Sequence, residues 1–376
     1  MPDVHEGPSG RDCWLLSPRE RSLMSPEAEF LEIVSGRRQD WQARAMRAGL
    51  SCLEPIYAAA SGLKNALYDC GIKRSHRAGV PVISVGNLTT GGTGKTPVVA
   101  AVVDMLVRRG LKPAIASRGY RSIDAGGNDE KRVLDLLCPG IPHLQNRDRI
   151  AAVRDLIANG AEIIVLDDGF QHRRLNRELD IVLVDATNPW GYGRQLPRGL
   201  LRESRRGLKR AGLVLMTRSD LVSPSRREQL LGEISRFTAA PIVTSRFVPH
   251  GLRDQAGVIH SGVEWKGRQV VAFCGIGNPE GFRSTLKRAG LVLHSHAVTT
   301  FADHHHYTRK DLDALIEEAQ ASSSAAVICT FKDLVKLPPL DVPIPILALD
   351  IGLEIIDGST AWERAVAGYG IPRIPA

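Results

Sequence analysis

The chain has 376 residues, a hydrophobic content of 43% and a formal net charge of +8. This length predicts two or three domains with a substantial core. The positive charge favours anionic partners such as nucleotides, nucleic acid or phospholipid. The six cysteines lie far apart and form no C-x-x-C pair, which argues against a disulfide framework or a zinc ribbon. Neither a secretory signal nor a membrane-spanning apolar stretch is expected.

The first 78 residues differ from the rest of the chain in composition. Residues 1–40 are rich in Pro, Ser, Arg and Glu, which predicts a disordered extension with one helix over 25–36. Residues 41–70 predict an amphipathic helix that Pro55 kinks or divides. Its apolar positions are Met46, Leu50, Leu53, Tyr57, Ala60, Leu63 and Leu67. With its basic flanks, this helix either lies on an anionic membrane or packs on the next domain.

Residues 81–98 have the order of a phosphate-binding loop: a buried strand, a glycine-rich turn and a helix. The residues predicted to bind a nucleotide are Thr89, Thr90, Gly91, Gly92, Thr93, Gly94, Lys95 and Thr96. Backbone N–H groups of this loop would surround phosphate oxygens, Lys95 would reach the β- and γ-phosphates, and Thr96 would bind Mg²⁺. Thr89 stands where the common pattern has glycine. The alternative is a glycine turn that has a lysine beside it by chance.

Beyond residue 79, strand-like runs alternate with helix-like runs, which predicts an α/β fold: a P-loop NTPase-like, mainly parallel sheet. The predicted strands after the loop are 113–117, 162–168, 180–185, 212–217, 241–245, 269–277, 291–296, 325–330 and 345–350. We expect a helical membrane-associating segment over 41–78, a P-loop domain over 79–255 and a smaller α/β domain over 256–376.

The strand over 162–166 ends in Asp167 and Asp168. Acidic residues at the carboxyl end of a strand beside a P-loop strand are typical of the Walker B arrangement, in which a carboxylate binds Mg²⁺. The alternative is that one of them caps a helix or forms a turn.

Two further stretches have unusual chemistry. Residues 303–307 read Asp-His-His-His-Tyr, but three adjacent histidines cannot all face one ion, and helical metal-ligand spacing is absent. An acid–base role, a phosphate contact or a plain exposed loop remain open. Residues 188–203 form a long Gly-, Pro- and Arg-rich loop that begins the densest basic cluster, Arg194–Arg210. Long loops of this kind are often functional, and a solvated basic face is the alternative.

Together these stretches resemble the tetraacyldisaccharide 4'-kinase (lipid A 4'-kinase) family from about residue 41 onward. The motifs that carry the resemblance are SVGNLTTGGTGKTPVV, SRGY (117–120), LDDGFQH (166–172), LPRGLLRE (196–203), FADHHHY (301–307) and TFKDLVKL (330–337). The family's loop also lacks the first Walker glycine, so Thr89 fits it.

The resemblance implies a peripheral kinase at the cytoplasmic face of the bacterial inner membrane. With ATP and Mg²⁺ it would phosphorylate the 4'-hydroxyl of a tetraacylated glucosamine disaccharide 1-phosphate, a lipid A precursor. An anionic membrane surface would be a further partner, whereas nucleic acid and an obligate protein partner are not expected. The site residues it implies are Lys95, Thr96, Tyr120, Asp167, Asp168, Gln171, Arg202 and Glu203, with Thr96, Asp167 and Asp168 at the metal.

The resemblance also implies a catalytic base. Asp129, in the segment Gly-Asn-Asp-Glu, matches the family's base, and His304 matches the histidine that pairs with it. The chain departs from the family in a shorter stretch after SRGY, in Phe331 where glutamate is usual, and in Leu200 where proline is common.

The loop and the charge of the chain leave two other functions as alternatives. A P-loop switch or partitioning ATPase would have no small-molecule acceptor, but such loops usually carry Lys where this chain has Thr90. A nucleic-acid-binding protein is suggested only by charge, and aromatic residues make up only 5% of the chain.

Overall fold

One mixed sheet forms the centre of the computed structural model, which describes residues 26–119, 128–276, 279–295, 297–302, 305–338 and 342–368. In these residues the strands are β1 (Val82–Asn87), β2 (Pro113–Ser117), β3 (His143–Gln145), β4 (Ile163–Asp167), β5 (Leu179–Asp185), β6 (Leu213–Thr217), β7 (Ile242–Arg253), β8 (Ile259–Ser261), β9 (Gln269–Cys274), β10 (Val292–Leu293), β11 (Thr299–Thr300), β12 (Val327–Cys329) and β13 (Ile346–Asp357).

Helices cover the sheet and precede it. In the described residues the α-helices are α1 (Pro26–Ser35), α2 (Trp41–Asp69), α3 (Lys95–Arg108), α4 (Asp129–Leu137), α5 (Arg149–Ala158), α6 (Pro224–Ser235), α7 (Gly262–Trp265), α8 (Pro279–Arg288), α9 (Arg309–Ala321), α10 (Phe331–Leu334) and α11 (Ser359–Ala367). Short 3₁₀ turns occupy Gly191–Gly193, Arg205–Arg210 and Ser219–Leu221.

The strand order is β10-β9-β12-β13-β7-β6-β5-β1-β4-β2-β3, with β11 beside β9 and β8 beside β7. Neighbouring strands run parallel, except that β7 pairs antiparallel with β13 and with β8. The predicted α/β fold with a mainly parallel sheet is therefore confirmed. Strands β3, β8 and β11 were not predicted, because each has only two or three residues and none lies in a longer apolar run.

Alternation of side chains along β1 builds two hydrophobic layers. Ile83 and Val85 pack with one face of α3, whereas Val82 points to the other side, where it packs with α5. A strand buried on both faces reads as a continuous apolar run, as the sequence of β1 does. Because β4 and β5 pair with the two edges of β1, their carboxyl ends lie beside the loop that follows β1.

The two halves of the sheet meet at β7 and β13, whose twelve residues each form a long antiparallel pair. After β13 the chain packs against the P-loop half of the sheet again. Trp362 and Val366 of α11 are buried there in the same hydrophobic core as α3. The division near residue 255 stays a prediction, and any C-terminal unit shares β13 and α11 with the P-loop half.

The N-terminal segment is helical where the structure describes it. α1 lies within the predicted range 25–36, and its Ile33 and Val34 are buried. Residues 1–25 lie outside the described residues. α2 passes through Pro55 as one element, so the predicted division into two helices does not occur. No helix in the described ranges is both long enough and apolar enough to cross a bilayer.

Gly86 gives a test of the packing that holds β1. A Cβ atom at this position would lie 2.7 Å from Phe170 Cβ and 2.8 Å from Phe170 N. We expect Gly86→Ala to lower the free energy of unfolding by about 1–3 kcal/mol in urea denaturation, because the strand or the turn must move. The control is Gly232→Ala in α6, where nothing lies within 4 Å and alanine is the better helix former. Equal effects of the two substitutions would contradict this account.

Candidate active site

The glycine-rich loop lies between β1 and α3, with Gly94 as the N-cap of α3 in a left-handed conformation. A side chain on Gly94 would meet the Phe247 ring, with the Cβ atom 2.3 Å from Cζ. Gly91 also has a positive φ of 106°. Both positions therefore require glycine. The N-terminus of α3, whose backbone N–H groups can attract anions, lies at the carboxyl edge of the sheet.

The loop over 188–203 braces the beginning of the glycine-rich loop. Thr90 N donates to Leu200 O at 2.7 Å, and Arg202 N donates to Leu88 O at 2.7 Å. Thr89 pairs with Leu201 as an antiparallel bridge. Thr89 therefore takes part in a strand-like pairing. β-branched residues suit such a pairing, so this position does not need glycine.

Lys95 lies where the P-loop pattern predicts. Its Nζ lies 3.3 Å from Asn87 Oδ1 and 3.7 Å from Asp168 Oδ1. Asn87 is fully buried at the end of β1, so it fixes the direction of the lysine side chain. The ammonium group is thereby held at the carboxyl ends of β1 and β4, beside Asp168.

The two aspartates have opposite electrostatic environments. Burial raises the pKa of Asp167 to about 6, and the charges of Glu130 and Asp168 act in the same direction. Burial alone would also raise the pKa of Asp168, but Lys95 and Arg202 outweigh it and lower that pKa. The two cations therefore favour the ionised form of Asp168, whereas burial disfavours the ionised form of Asp167.

Arg202 is the main partner of Asp168. Its Nη1 donates to both carboxylate oxygens, at 2.9 and 2.7 Å, and lies 3.3 Å from Gln171 Oε1. A third cation, Arg149, is buried and donates to the backbone carbonyl of Asp168 at 2.9 Å. Lys95 and Arg202 thus flank the Asp168 carboxylate, while Arg149 holds the backbone of the same residue.

Glu203 organises the side of the site that faces α2. Its carboxylate accepts bonds from Gln171 Nε2 at 3.0 Å, Asn65 Nδ2 at 2.9 Å and Arg210 Nη2 at 2.9 Å. Glu203 is 3% exposed, and the Arg210 guanidinium also covers the Phe170 ring at 4.4 Å. This buried anion is therefore fully partnered, as a buried charge must be. It holds Gln171 and α2 in place and leaves the neighbouring Arg202 to bind Asp168.

Asp129 begins α4, whose N-cap Asn128 accepts a bond from Lys131 N. Further bonds fix this helix: Gln145 Nε2 donates to Asn128 Oδ1 at 2.7 Å, and Asp135 Oδ1 lies 3.0 Å from His143 Nδ1. The charge of Glu130, in the first turn of α4, contributes to the raised pKa of Asp167, which accords with a position of this turn on the same side of the site. The other predicted site residues Tyr120 and His304 lie outside the described residues.

Comparison with known proteins identifies the family. Residues 46–368 match the model of the tetraacyldisaccharide-1-P 4'-kinase family. The chain belongs to this family. It is 38% identical over 344 residues to the tetraacyldisaccharide 4'-kinase of Anaeromyxobacter dehalogenans, an alignment that covers 85% of this chain and 90% of that protein. It is 37% identical over 306 residues to the Paramagnetospirillum magneticum protein of the same name, with 77% and 88% covered.

A solved structure is also similar. The LpxK structure from Aquifex aeolicus, determined in complex with ATP, superposes with a TM-score of 0.70 at 26% identity. The match covers 87% of this chain and all (100%) of that one. The family resemblance and the fold inferred from the sequence are therefore confirmed.

Several residues of the site were not singled out from the sequence. Asn87 lies in the SVGN motif and could have been noticed there, but nothing in the sequence marks Arg149, Arg210 or Asn65 as partners of the acidic residues. Their roles depend on contacts between distant segments, such as the 138 residues that separate Asn65 from Glu203.

The buried Glu203–Arg210 pair can be tested by removing one charge. We expect Glu203→Gln to lower the free energy of unfolding by about 3 kcal/mol, because it leaves Arg210 buried without its counter-charge. The control is Glu354→Gln, whose partner Arg246 is 41% exposed in its side chain, so the loss should stay below about 1 kcal/mol. Similar losses in urea denaturation for both variants would show that the Glu203 pair is not energetically special.

Proposed function

We propose that the chain is an ATP-dependent kinase that transfers the γ-phosphate of ATP to the 4'-hydroxyl of a tetraacylated glucosamine disaccharide 1-phosphate, in lipid A biosynthesis. The observation that carries this proposal is the P-loop lysine lying 3.7 Å from Asp168, in a chain of the 4'-kinase family. A P-loop switch or partitioning ATPase is not favoured, because the relatives that match most of the chain are named as 4'-kinases.

The reaction forms a bond between the 4'-oxygen of the sugar and the γ-phosphorus, and it breaks the bond from that phosphorus to the β–γ bridging oxygen. ADP leaves, and the hydroxyl proton must pass to a base. Phosphoryl transfer depends mainly on positioning and charge neutralisation. In this proposal Lys95 and Arg202 stabilise charge on the phosphates, and the amides of residues 89–96 bind phosphate oxygens.

Asp129 is the proposed base, as the family resemblance implies. A carboxylate that accepts the hydroxyl proton as the O–P bond forms makes a sugar hydroxyl a better nucleophile. The position of Asp129 supports this role, since it begins α4 close to the acidic pair and its side chain is 31% exposed. Among the remaining expected site residues, Gln171, Arg202 and Glu203 are proposed to shape the acceptor side of the site.

The residues around Asp167 fit a magnesium ion. Asp167, Asp168 and the Thr96 hydroxyl offer oxygen ligands, which Mg²⁺ prefers. Burial raises the pKa of Asp167 although Lys95 and Arg149 act in the opposite direction, and a bound cation would favour its ionised form further. Mg²⁺ would supply charge neutralisation on the phosphates when bound. The chain's own contribution is to hold Asp168 ionised through Arg202 and Lys95.

The test is transfer of ³²P from γ-labelled ATP to a tetraacyl disaccharide 1-phosphate in mixed micelles. We expect Lys95→Ala to reduce turnover by at least about 100-fold, because its charge meets phosphate in the transition state, while the circular dichroism spectrum stays native. The control, Lys112→Ala, removes an exposed lysine after α3 and should leave turnover unchanged. Hydrolysis of ATP that is unaffected by the acceptor, without labelled lipid, would contradict the proposal.

A second part of the proposal concerns α2, whose polar side faces the protein. Glu54 Oε1 accepts from Gln195 N at 2.9 Å, and Tyr57 OH donates to the Arg202 carbonyl at 3.0 Å. Leu50 and Tyr57, which the sequence analysis put on the apolar face, are half-buried on this side.

The apolar side of α2 faces away from the protein. The exposed large side chains on it are Trp41, Met46, Leu53, Ile56 and Leu63, each more than half accessible. A helix that packs on a domain core usually turns its large apolar side chains inward. In α2 these side chains face outward instead. An exposed apolar face with basic residues beyond its end at Lys73, Arg74 and Arg77 suits the interface of an anionic membrane.

We therefore place the enzyme at the membrane surface through α2, peripherally and on the cytoplasmic side, where ATP is found. Deleting α2 would also remove Tyr57 and Asn65 from the site, so substitution is the cleaner test. The triple variant Leu53→Ser, Ile56→Ser and Leu63→Ser should bind vesicles of anionic phospholipid more than about tenfold more weakly, since each side chain loses about 1.5 kcal/mol or more of burial.

Vesicle sedimentation measures this effect at low and high salt. The control is Val263→Ser, which removes an exposed apolar side chain from a different element, α7. Equal binding by the triple variant and the wild type would show that the membrane contact lies outside α2. The basic cluster Arg194–Arg210 would then be the next surface to test.

A further inference from the structure

Lys336, two residues beyond α10, places its ammonium group between two carboxylates from different parts of the fold. Its Nζ lies 3.8 Å from Asp129 Oδ2 and 3.8 Å from Asp333 Oδ1. The Lys336 side chain is only 7% exposed. A lysine is seldom buried this far unless its charge is paired, and here the pairing joins the C-terminal half of the sheet to the start of α4.

Asp333 is a fixed anchor for this lysine. It is fully buried and accepts bonds from Thr330 Oγ1 at 2.6 Å, Tyr307 OH at 2.8 Å and Gly275 N at 3.2 Å. Burial and the charge of Asp333 both raise the pKa of Tyr307, so its hydroxyl remains a donor. Three donors leave the Asp333 carboxylate little freedom to turn, and Lys336 is held beside it by its own turn, since Lys336 N donates to Asp333 O at 3.0 Å.

The helix that carries Asp129 is fixed independently of Lys336. Arg253 Nη1 donates to the Leu136 carbonyl at 2.9 Å near the end of α4, while Arg253 itself pairs with Asp350 at 2.8 Å. Together with the contacts of Asn128 and Asp135 to β3, these bonds set the helix backbone. Lys336 therefore acts on the side chain of Asp129 rather than on the course of α4.

We propose that Lys336, anchored by Asp333, is a positioning residue that fixes the orientation of the Asp129 carboxylate toward the acceptor hydroxyl. This inference rests on the proposed function, in which Asp129 takes the hydroxyl proton. A base must hold its oxygen within hydrogen-bond reach of the proton, and a misplacement of about 1 Å can lower a rate by about 100-fold. Lysine suits this task because its point charge attracts a carboxylate without imposing a bidentate geometry.

The test is a double-mutant cycle between Lys336 and Asp129, measured as transfer of labelled phosphate to the lipid acceptor. We expect Lys336→Met, which keeps the length of the side chain but not the charge, to lower kcat by roughly 10- to 100-fold while the KM for ATP changes less than about twofold. In the Asp129→Asn background the same substitution should lower kcat by less than about twofold, because residues that act as a unit are non-additive.

Two further variants separate positioning from folding. Lys336→Arg restores the charge at a shifted position and should recover part of the lost kcat, which a loss of packing alone would not predict. Lys310→Met removes an exposed lysine from α9 and should match the wild type. If Lys336→Met loses its native circular dichroism spectrum, Lys336→Arg carries the same cycle with Asp129→Asn.

The outcomes distinguish the inference from the proposed function. An equal loss of kcat from Lys336→Met in both backgrounds would overturn the inference and leave the kinase assignment intact. A rise in the KM for ATP with unchanged kcat would also overturn it. Wild-type kcat in Asp129→Asn would remove Asp129 as the base and the inference with it, whereas absence of labelled lipid with the wild-type protein would overturn the function itself.

Discussion

The ion pair between Arg202 and Asp168 is the interaction on which the site depends. Arg202 belongs to the loop that pairs with the start of the glycine-rich loop, and Asp168 ends the neighbouring strand β4, so one pair joins two walls of the site. Lys95 and Arg149 add two more cations close to the same residue. These cations lie beside a second carboxylate, Asp167, whose pKa burial raises. Cationic side chains grouped at the end of a P-loop suit the phosphates of a nucleotide, whose charge they can neutralise.

Glu203 fixes several of the polar side chains around these charged groups. Its carboxylate neutralises Arg210, orients Gln171 and receives Asn65 from α2, which places the network in the low-dielectric interior. A buried ion pair is weak evidence of net stability, because desolvation of the two charges offsets much of their attraction. Through the same network, α2 forms part of the candidate site.

The sequence was sufficient for the elements whose chemistry is local. The strand, glycine turn and helix around Lys95 follow from composition and spacing, and the aspartates at the end of β4 follow from the P-loop context. What it could not supply depends on tertiary contacts. The extension of β7 and β13 to twelve residues reflects their mutual pairing, and no local pattern marks Arg149 or Lys336 as neighbours of site carboxylates. The periodicity of α2 indicated an apolar face but could not say whether that face packs on protein.

The hydrogen bonds of α2 show which of its two faces packs on the protein. A helix that docked through Leu53, Ile56 and Leu63 would leave Glu54 and Asn65 in water. Here both of them, together with Tyr57, bond to the loop over 194–203. The Arg202 carbonyl that receives Tyr57 belongs to the residue that holds Asp168. A bilayer that took up the outer face of α2 would therefore be separated from the backbone of Arg202 by the thickness of this helix, about 10 Å. A disaccharide whose acyl chains stay in the membrane can bridge that distance with its sugar head group, so the reversed orientation of α2 fits an acceptor that does not leave the lipid.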